Sequence, residues 1–434
     1  MIYQSPYEAF VFEDYSFDPE TNIACFKYSF DSKRYFTEKV NFHTSVQEYD
    51  KKALENALQL AFLVTGTSYY KAFPTRKVVF KKGILDDGQA DFARKVYTHG
   101  LSQFMFENSL SIDDMPKFTS RVTSNSATDY QGRGIIALQS GGKDSLLLAT
   151  LLEEQSVPYT SLYISSGEVY PLVLDTLSSD LQIITRSIDR SALAQSQKDG
   201  GLNGHVPVTY IVLSYALIMA VLQNKKTVLS SIGAEGGEAH EHIVDLPVNH
   251  QWSKTWEAEQ LLAKYVARYV SPSLQVGSPL RGFSELRIAE LFVAHSWERF
   301  GQSFSSCNRA NYLQGQDNQT LKWCGLCPKC ANSYLLFAAF VEPTELKTLF
   351  NGKDLFQKPE LVDTFKGLLG IDNVMKPFEC VGEVAELRTA FRLAQNKYGD
   401  HTYKLPFEVP SSSFDYILQR KKAEWVSSIL APVY

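Results

Sequence analysis

No run in this 434-residue chain is apolar for long enough to cross a bilayer. The longest, Tyr210-Ile-Val-Leu-Ser-Tyr-Ala-Leu-Ile-Met-Ala-Val-Leu222, falls short of the ~20 residues a membrane helix needs and reads as a buried helix. The chain opens Met-Ile-Tyr-Gln-Ser-Pro-Tyr-Glu, with neither the basic nor the apolar segment of a signal peptide, so a cytoplasmic protein without membrane contact is expected. Excess positive charge is also missing. Lys and Arg number 43 against 48 Asp and Glu, and the net charge of −5 makes nucleic acid an unlikely partner, although a local basic patch can hide in an acidic total. Cysteines number only six, and three of them share one heptapeptide, which excludes a disulfide framework and suits a metal site. Internal repeats and low-complexity runs are absent. The 44% apolar and 21% charged composition is that of a globular chain of two or three domains.

Three regions follow from the patterning. Residues 1–130 form an aromatic-rich α+β domain. Ala24–Phe30 and Tyr35–Phe42 have strand composition around an Asp31-Ser32-Lys33 turn. Helical periodicity covers Ala53–Val64 and, as one helix, Asp91–Asn108. The Gly66-Thr67-Ser68-Tyr69-Tyr70-Lys71 segment reads as a ligand-facing loop or a polar turn. Ser-, Thr-, Asn- and Gly-rich residues from Thr119 to Gly134 read as a linker. In residues 131–275 strands at about 135, 159, 181 and 227 alternate with helices, which implies a doubly wound, mostly parallel α/β sheet. Its ligands would lie at the carboxyl ends of the strands, where Ser140–Ser145, Ser165–Glu168, Arg186–Arg190 and Gly233–His242 would share one rim. Residues 276–434 read as a helical C-terminal extension carrying the cysteine cluster.

The most informative stretch is Ile135-Ile-Ala-Leu-Gln-Ser140-Gly141-Gly142-Lys143-Asp144-Ser145-Leu146. An apolar strand stops at two glycines and a Leu-rich helix begins at once. Adjacent glycines let backbone approach an anion. Unpaired N–H groups and the positive end of the helix dipole add to the hydroxyls of Ser140 and Ser145 and the charge of Lys143. This suits phosphate or pyrophosphate, while the plainer alternative is a tight turn. It is not the GxxxxGK[ST] loop, because Asp144 follows the lysine.

Other stretches offer chemistry. Cys324-Gly-Leu-Cys327-Pro-Lys-Cys330, with Cys307 upstream, supplies four thiolates for a closed tetrahedral zinc site; an iron–sulfur centre or metal-free thiols are the alternatives. Gly233-Ala-Glu-Gly-Gly-Glu-Ala-His240-Glu-His242 combines flexible backbone, carboxylates and imidazoles, fit for acid–base or Mg²⁺ work, or is a solvated acidic loop. His250 and Lys254 would share a face if helical. His205, before the long apolar helix, either lines the site or is structural. Arg281, Glu285 and Arg287 either bind phosphate or pair with one another.

Ser140-Gly-Gly-Lys-Asp-Ser145 resembles the signature of the N-type ATP pyrophosphatases, the PP-loop enzymes, which include asparagine and argininosuccinate synthetases, GMP synthetase and the cyano-deazaguanine synthases; these last carry a comparable Cys…CxxCxxC zinc site, with a shorter first spacer than here. Together with Gly66–Lys71, Gly204-His205-Val-Pro-Val208, Val248-Asn-His250-Gln-Trp-Ser-Lys254 and Cys324–Cys330, the chain is similar over nearly its whole length to the UDP-N-acetyl-α-D-muramoyl-L-alanyl-L-glutamate epimerases. The resemblance implies an adenine nucleotide alpha hydrolase-like sheet, ATP and Mg²⁺ as cofactors with a structural Zn²⁺, and a small-molecule substrate, a peptide with a free C-terminal carboxylate. It implies adenylation of that carboxylate, inversion of its α-carbon, and release of AMP and pyrophosphate. Ser140, Gly141, Gly142, Lys143, Asp144 and Ser145, with Ser165 and Gly233 on the rim, would bind nucleotide. Lys143 and Asp144 would act at the phosphates. His240, His242, His250 and Lys254 are the acid–base candidates. The alternative on the same activation is a ligase, amidase or nitrile-forming enzyme.

Overall fold

The computed structural model describes residues 3–44, 48–121, 125–167, 169–234, 236–311 and 319–431. Its strands are β1 (Ala9–Asp18), β2 (Ile23–Phe30), β3 (Arg34–Asn41), β4 (Lys77–Phe80), β5 (Ile135–Leu138), β6 (Thr160–Ser165), β7 (Leu181–Ser187), β8 (Thr227–Leu229), β9 (Glu241–Ile243), β10 (Leu246–Val248) and β11 (Gln275–Gly277). Among the described residues, nine of them form one sheet in the order β11-β8-β5-β6-β7-β3-β2-β1-β4, and β9 and β10 form a separate hairpin. The run β11-β8-β5-β6-β7 is parallel throughout. From β7 to β1 the sheet is antiparallel, and β4 closes it parallel to β1.

Alternation along the central strands sends side chains to two cores. Ile136, Leu162 and Val228 face the helix Val208–Leu222 and the N-terminal helices. Ile135, Ala137, Tyr163 and Leu229 face the helices Lys143–Glu154 and Glu285–His295 and the C-terminal helices. Helices therefore cover both faces of a largely parallel sheet. Val208–Leu222 is buried nearly all round, as a helix without a polar face must be.

The β2–β3 hairpin turns through Asp31 and Ser32, both left-handed (φ 51° and 52°). The Asp31 carboxylate accepts from the backbone N–H groups of Glu8 and Ala9, at 3.1 and 2.8 Å, tying β1 to the turn. The pairing of β3 with β7, Val40 opposite Arg186, makes the N-terminal meander part of the same sheet as the glycine loop. One expectation needs correction. Asp91–Asn108 is not a single helix: Asp87–Thr98 ends in a 3₁₀ turn, His99–Leu101, before the short helix Ser102–Glu107. Gly100 sits in that turn, where a Cβ would lie 3.1 Å from Pro207 and 3.3 Å from Trp252. The break lets the His205 and His250 segments close on the N-terminal helices.

Candidate active site

The glycine loop joins β5 to the helix Lys143–Glu154 as its sequence requires. Gly141 adopts φ +75°, and a Cβ there would lie 2.6 Å from Leu321, so glycine is required twice over. Gly142 caps the helix without a side chain, so the cap itself does not occupy the first-turn N–H groups that would meet an anion. The hydroxyls of Ser140 and Ser145 lie 3.2 Å apart, the backbone N–H of Ser140 donates to Ser145 Oγ, and that of Gly142 donates to Ser140 Oγ. Lys143 is buried, and its ammonium lies 2.5 Å from Asp144 and 2.6 Å from Glu285 at the start of the facing helix. Glu285 thus joins the loop, while Arg281 pairs with Glu259 and Arg287 with Glu290. Beside it a cavity of about 280 Å³ is bounded by Ala234, Arg281, Glu285, Glu383, Glu386 and Arg420. Burial first, then Glu383, raises the Glu386 carboxyl to about 7.

A second patch gathers three imidazoles. The rings of His205 and His250 lie 4.2 Å apart, and His240 stacks on Phe378 at 5.1 Å. Burial holds all three below the ordinary histidine range, His205 at about 3 and His240 and His250 at about 4, with lysine charges adding to the effect. Lys71 reaches in from the N-terminal region, its ammonium donating to Gly204 O at 2.9 Å; burial and then Arg186 lower it to about 8. Lys254 and Lys329 act on His250, and Lys376, paired with Glu238 at 2.5 Å, acts on His240. Carboxylates share the patch with these lysines: Glu379 and Glu107 act on His250 in the opposite sense, and Glu238 does so on His240. Buried Arg281 joins the two patches. Its guanidinium pairs with Glu259 at 2.8 Å and donates to the carbonyls of Gly233 at 2.5 Å and Lys254 at 2.8 Å.

Four thiols form a third group. Cys307, Cys324, Cys327 and Cys330 place their sulfurs within 4.8 Å of one another, with contacts of 3.5–3.7 Å. A tetrahedral ion with metal–sulfur bonds of about 2.3 Å would set its sulfurs about 3.8 Å apart, so the four fit one metal with little movement. Ser305, two residues before Cys307, donates its backbone N–H to Gly141 O at 3.3 Å. Ser306 Oγ lies 3.1 Å from where a Gly142 Cβ would stand. The thiol group therefore braces the segment resting on the glycine loop.

Two family models match this chain: the MurL N-terminal domain over residues 1–278 and the MurL C-terminal domain over residues 303–405. The chain belongs to the MurL family. Curated relatives called UDP-N-acetyl-alpha-D-muramoyl-L-alanyl-L-glutamate epimerase are 31% identical to it in Xanthomonas oryzae, Micromonospora and Salinispora tropica. The matches cover 88%, 89% and 90% of this chain and 84%, 86% and 86% of the relatives.

Within this MurL-family chain, the N-terminal match takes in the whole nine-stranded sheet, the glycine loop and the three imidazoles, and the C-terminal match takes in the thiols. Glu285 falls between the two. Of the residues singled out from sequence, Ser140–Ser145 come together with Glu285, and His240, His250 and Lys254 come together with His205 and Lys71. Gly233 packs under the site, its carbonyl held by Arg281. Ser165 donates to Val169 O at 3.0 Å and accepts from the Gly167 N–H, shaping the turn after β6. His242 stands apart: it is exposed on β9, while His240, just before that strand, lies against Phe378. In Gly66–Lys71 the polar-turn reading holds up to Tyr70. Ser68 and Tyr69 serve the Arg186–Glu38 pair, and Tyr70 bonds Thr75 O. Lys71 alone reaches the imidazoles. Glu168 and Glu235 lie outside the described residues. Sequence reasoning did not single out Gln103 and Glu107, which have no motif around them and become visible only where their helix docks.

Proposed function

We propose that this chain is an ATP-dependent epimerase acting on the C-terminal glutamate of UDP-N-acetylmuramoyl-L-alanyl-L-glutamate, or of a closely related peptide. The observation that carries the reading is the junction of two chemistries through Arg281: a glycine loop with a buried lysine at a helix N-terminus, and a cleft of neutral imidazoles flanked by lysines. The names of the relatives supply the substrate. In this reading the fold is of the PP-loop type and the protein works in the cytoplasm.

An α-proton beside a carboxylate resists removal because the carbanion would sit next to a negative charge. Attack of the carboxylate oxygen on the α-phosphorus of ATP forms an acyl adenylate and expels pyrophosphate, which removes that charge. The loop amides, Ser140, Ser145 and Lys143 suit the departing pyrophosphate. Mg²⁺ would neutralise phosphate charge, with the loop's own Asp144 as a carboxylate that would hold it. A neutral imidazole, His250, then takes the α-proton, and an ammonium, Lys71, returns one to the opposite face. The anionic substrate would raise the pKa of His250 toward its working range. Water releases the inverted carboxylate and AMP, so ATP and water become AMP and pyrophosphate. Zn²⁺ at Cys307, Cys324, Cys327 and Cys330 would serve structure.

Incubation with ATP, Mg²⁺ and UDP-MurNAc-L-Ala-L-Glu in D₂O tests this. AMP formation with one deuterium gained and D-glutamate produced is the expected result. AMP without deuterium would point to ligation or amidation instead, and no AMP with any acyl substrate would overturn the reading.

A further inference from the structure

The helix Ser102–Glu107 belongs to the N-terminal region, yet its side chains meet the candidate chemistry. Gln103 is buried and its Oε1 lies 2.6 Å from Nδ1 of His250. One turn on, Gln103 Nε2 donates to Glu107 Oε1 at 2.7 Å. The backbone N–H of Asn249 donates to Ser102 Oγ at 3.1 Å, so the His250 loop is pinned to the same helix.

Donor and acceptor logic fixes every proton in this row. A carboxylate only accepts, so the NH₂ end of Gln103 must face Glu107. Its carbonyl oxygen then faces His250 and only accepts, so Nδ1 of His250 must carry the hydrogen. A neutral imidazole has one N–H, which leaves Nε2 with its lone pair. The Gln103 contact engages Nδ1 and leaves Nε2 outside the row. The third member of the row orients the second, and the second sets the tautomer of the first, which is the logic of a base held by a buried acceptor.

We infer that Gln103 and Glu107 are positioning residues for proton transfer: the Glu107–Gln103–His250 row locks His250 in the Nδ1–H tautomer and presents Nε2 as the proton-accepting atom. This gives the N-terminal region a part in the chemistry, and it rests on the reading of His250 as an acid–base group. Adenylation needs the glycine loop and not this row, so disrupting the row separates the two half-reactions.

The test pairs a spectroscopic readout with a kinetic one. In protein labelled with ¹⁵N-histidine, the His250 resonances are identified by their loss in His250→Gln. Wild type is expected to show protonated Nδ1 and bare Nε2 at neutral pH. Gln103→Leu should lose that signature, and Gln103→Glu, which keeps an acceptor at the same place, should retain it. Glu107→Gln changes an exposed side chain and so leaves folding alone; its amide can face Gln103 either way round, and His250 should then divide between tautomers. With Gln103→Leu, deuterium incorporation should fall about 10²-fold or more, with KM little changed and the first-turnover release of pyrophosphate intact. The inference is overturned by an Nε2–H tautomer in wild type, by an unchanged tautomer in both Gln103→Leu and Glu107→Gln, or by equal loss of pyrophosphate release and deuterium exchange. A wild-type protein with the expected tautomer and no turnover would overturn the functional reading and leave the hydrogen-bond row standing. Turnover with the wrong tautomer would overturn the row alone.

Discussion

Arg186 on β7 grips Glu38 on β3 through two hydrogen bonds, at 2.6 and 3.2 Å, across the seam where the antiparallel meander joins the parallel strands. Glu38 is fully buried, and Tyr69 and Tyr215 donate their hydroxyls to it as well. Burial of a carboxylate is tolerable only when its lone pairs are used in this way.

Removing one partner strands the other. Glu38→Ala would leave the Arg186 guanidinium, Tyr69 and Tyr215 without their shared acceptor, and should destabilise the fold by about 3–5 kcal/mol. Urea unfolding checks it. A loss under 1 kcal/mol would mean that the seam is held by packing alone.

The glycine loop predicts a graded response. Lys143→Met should abolish AMP formation while the helix Lys143–Glu154 persists, because methionine fills the buried space without the charge. Glu285→Gln keeps a hydrogen-bond acceptor for Lys143 but removes a charge, and should lower AMP formation by about 10–10²-fold, in line with loss of one electrostatic contact. Gly141→Ala should be as damaging as the lysine change, since its methyl would enter the space of Leu321 at a φ of +75°. Full activity in Gly141→Ala would show that the loop rearranges freely and that its glycine is not required. Single-turnover release of AMP is the measurement.

His205, His240 and His250 also make stability depend on pH. In the unfolded chain each takes a proton near pH 6.5. In the fold they resist it until about pH 3 for His205 and about pH 4 for His240 and His250. Between those limits the unfolded state binds more protons, so stability is highest above pH 6.5 and falls as pH drops toward 4. Holding one histidine neutral costs about 1.4 kcal/mol for every pH unit below its unfolded pKa, so the three together cost at least a few kcal/mol at the acid end. Thermal melts from pH 7.5 to 4.5 should show the decline, and replacing all three with glutamine should flatten it. An unchanged slope in the triple variant would assign acid lability to other groups.

Local chemistry was readable from the residues, and long-range partnership was not. The strand, glycine turn and helix at 135–154 are specified by adjacent residues, and so are the CxxCxxC thiols. The contact of Lys143 with Glu285 joins positions in separate helices, and no periodicity links them. His205 and Lys71 each read as structural or ambiguous alone; the site exists because a broken helix at Gly100 lets both reach His250. His242 shows the same limit: by residue type it equals His240, and only the fold leaves it exposed on β9. The β3–β7 pairing was hidden for a related reason: an edge strand of a meander carries no mark of which further strand will cover it.

The thiol group gives the last prediction, because its effect should be felt away from the sulfurs. Purified protein should hold one zinc per chain. Cys307 is two residues from Ser305, whose N–H holds the Gly141 carbonyl, and Ser306 lies over Gly142. A metal that fixes Cys307 therefore fixes the outer wall of the glycine loop. Without it four thiols would crowd at 3.5–3.7 Å with only weak hydrogen bonds between them, and the segment would lose its anchor. Cys327→Ser, or a chelator strong enough to strip the ion, should lower the unfolding midpoint and also weaken ATP binding, although none of the four thiols is proposed to touch nucleotide. Returning zinc to stripped wild-type protein should restore both, and adding it to Cys327→Ser should not. If stability falls while nucleotide affinity is unchanged, the metal braces only the C-terminal helices and the contact through Ser305 has no part in the phosphate site.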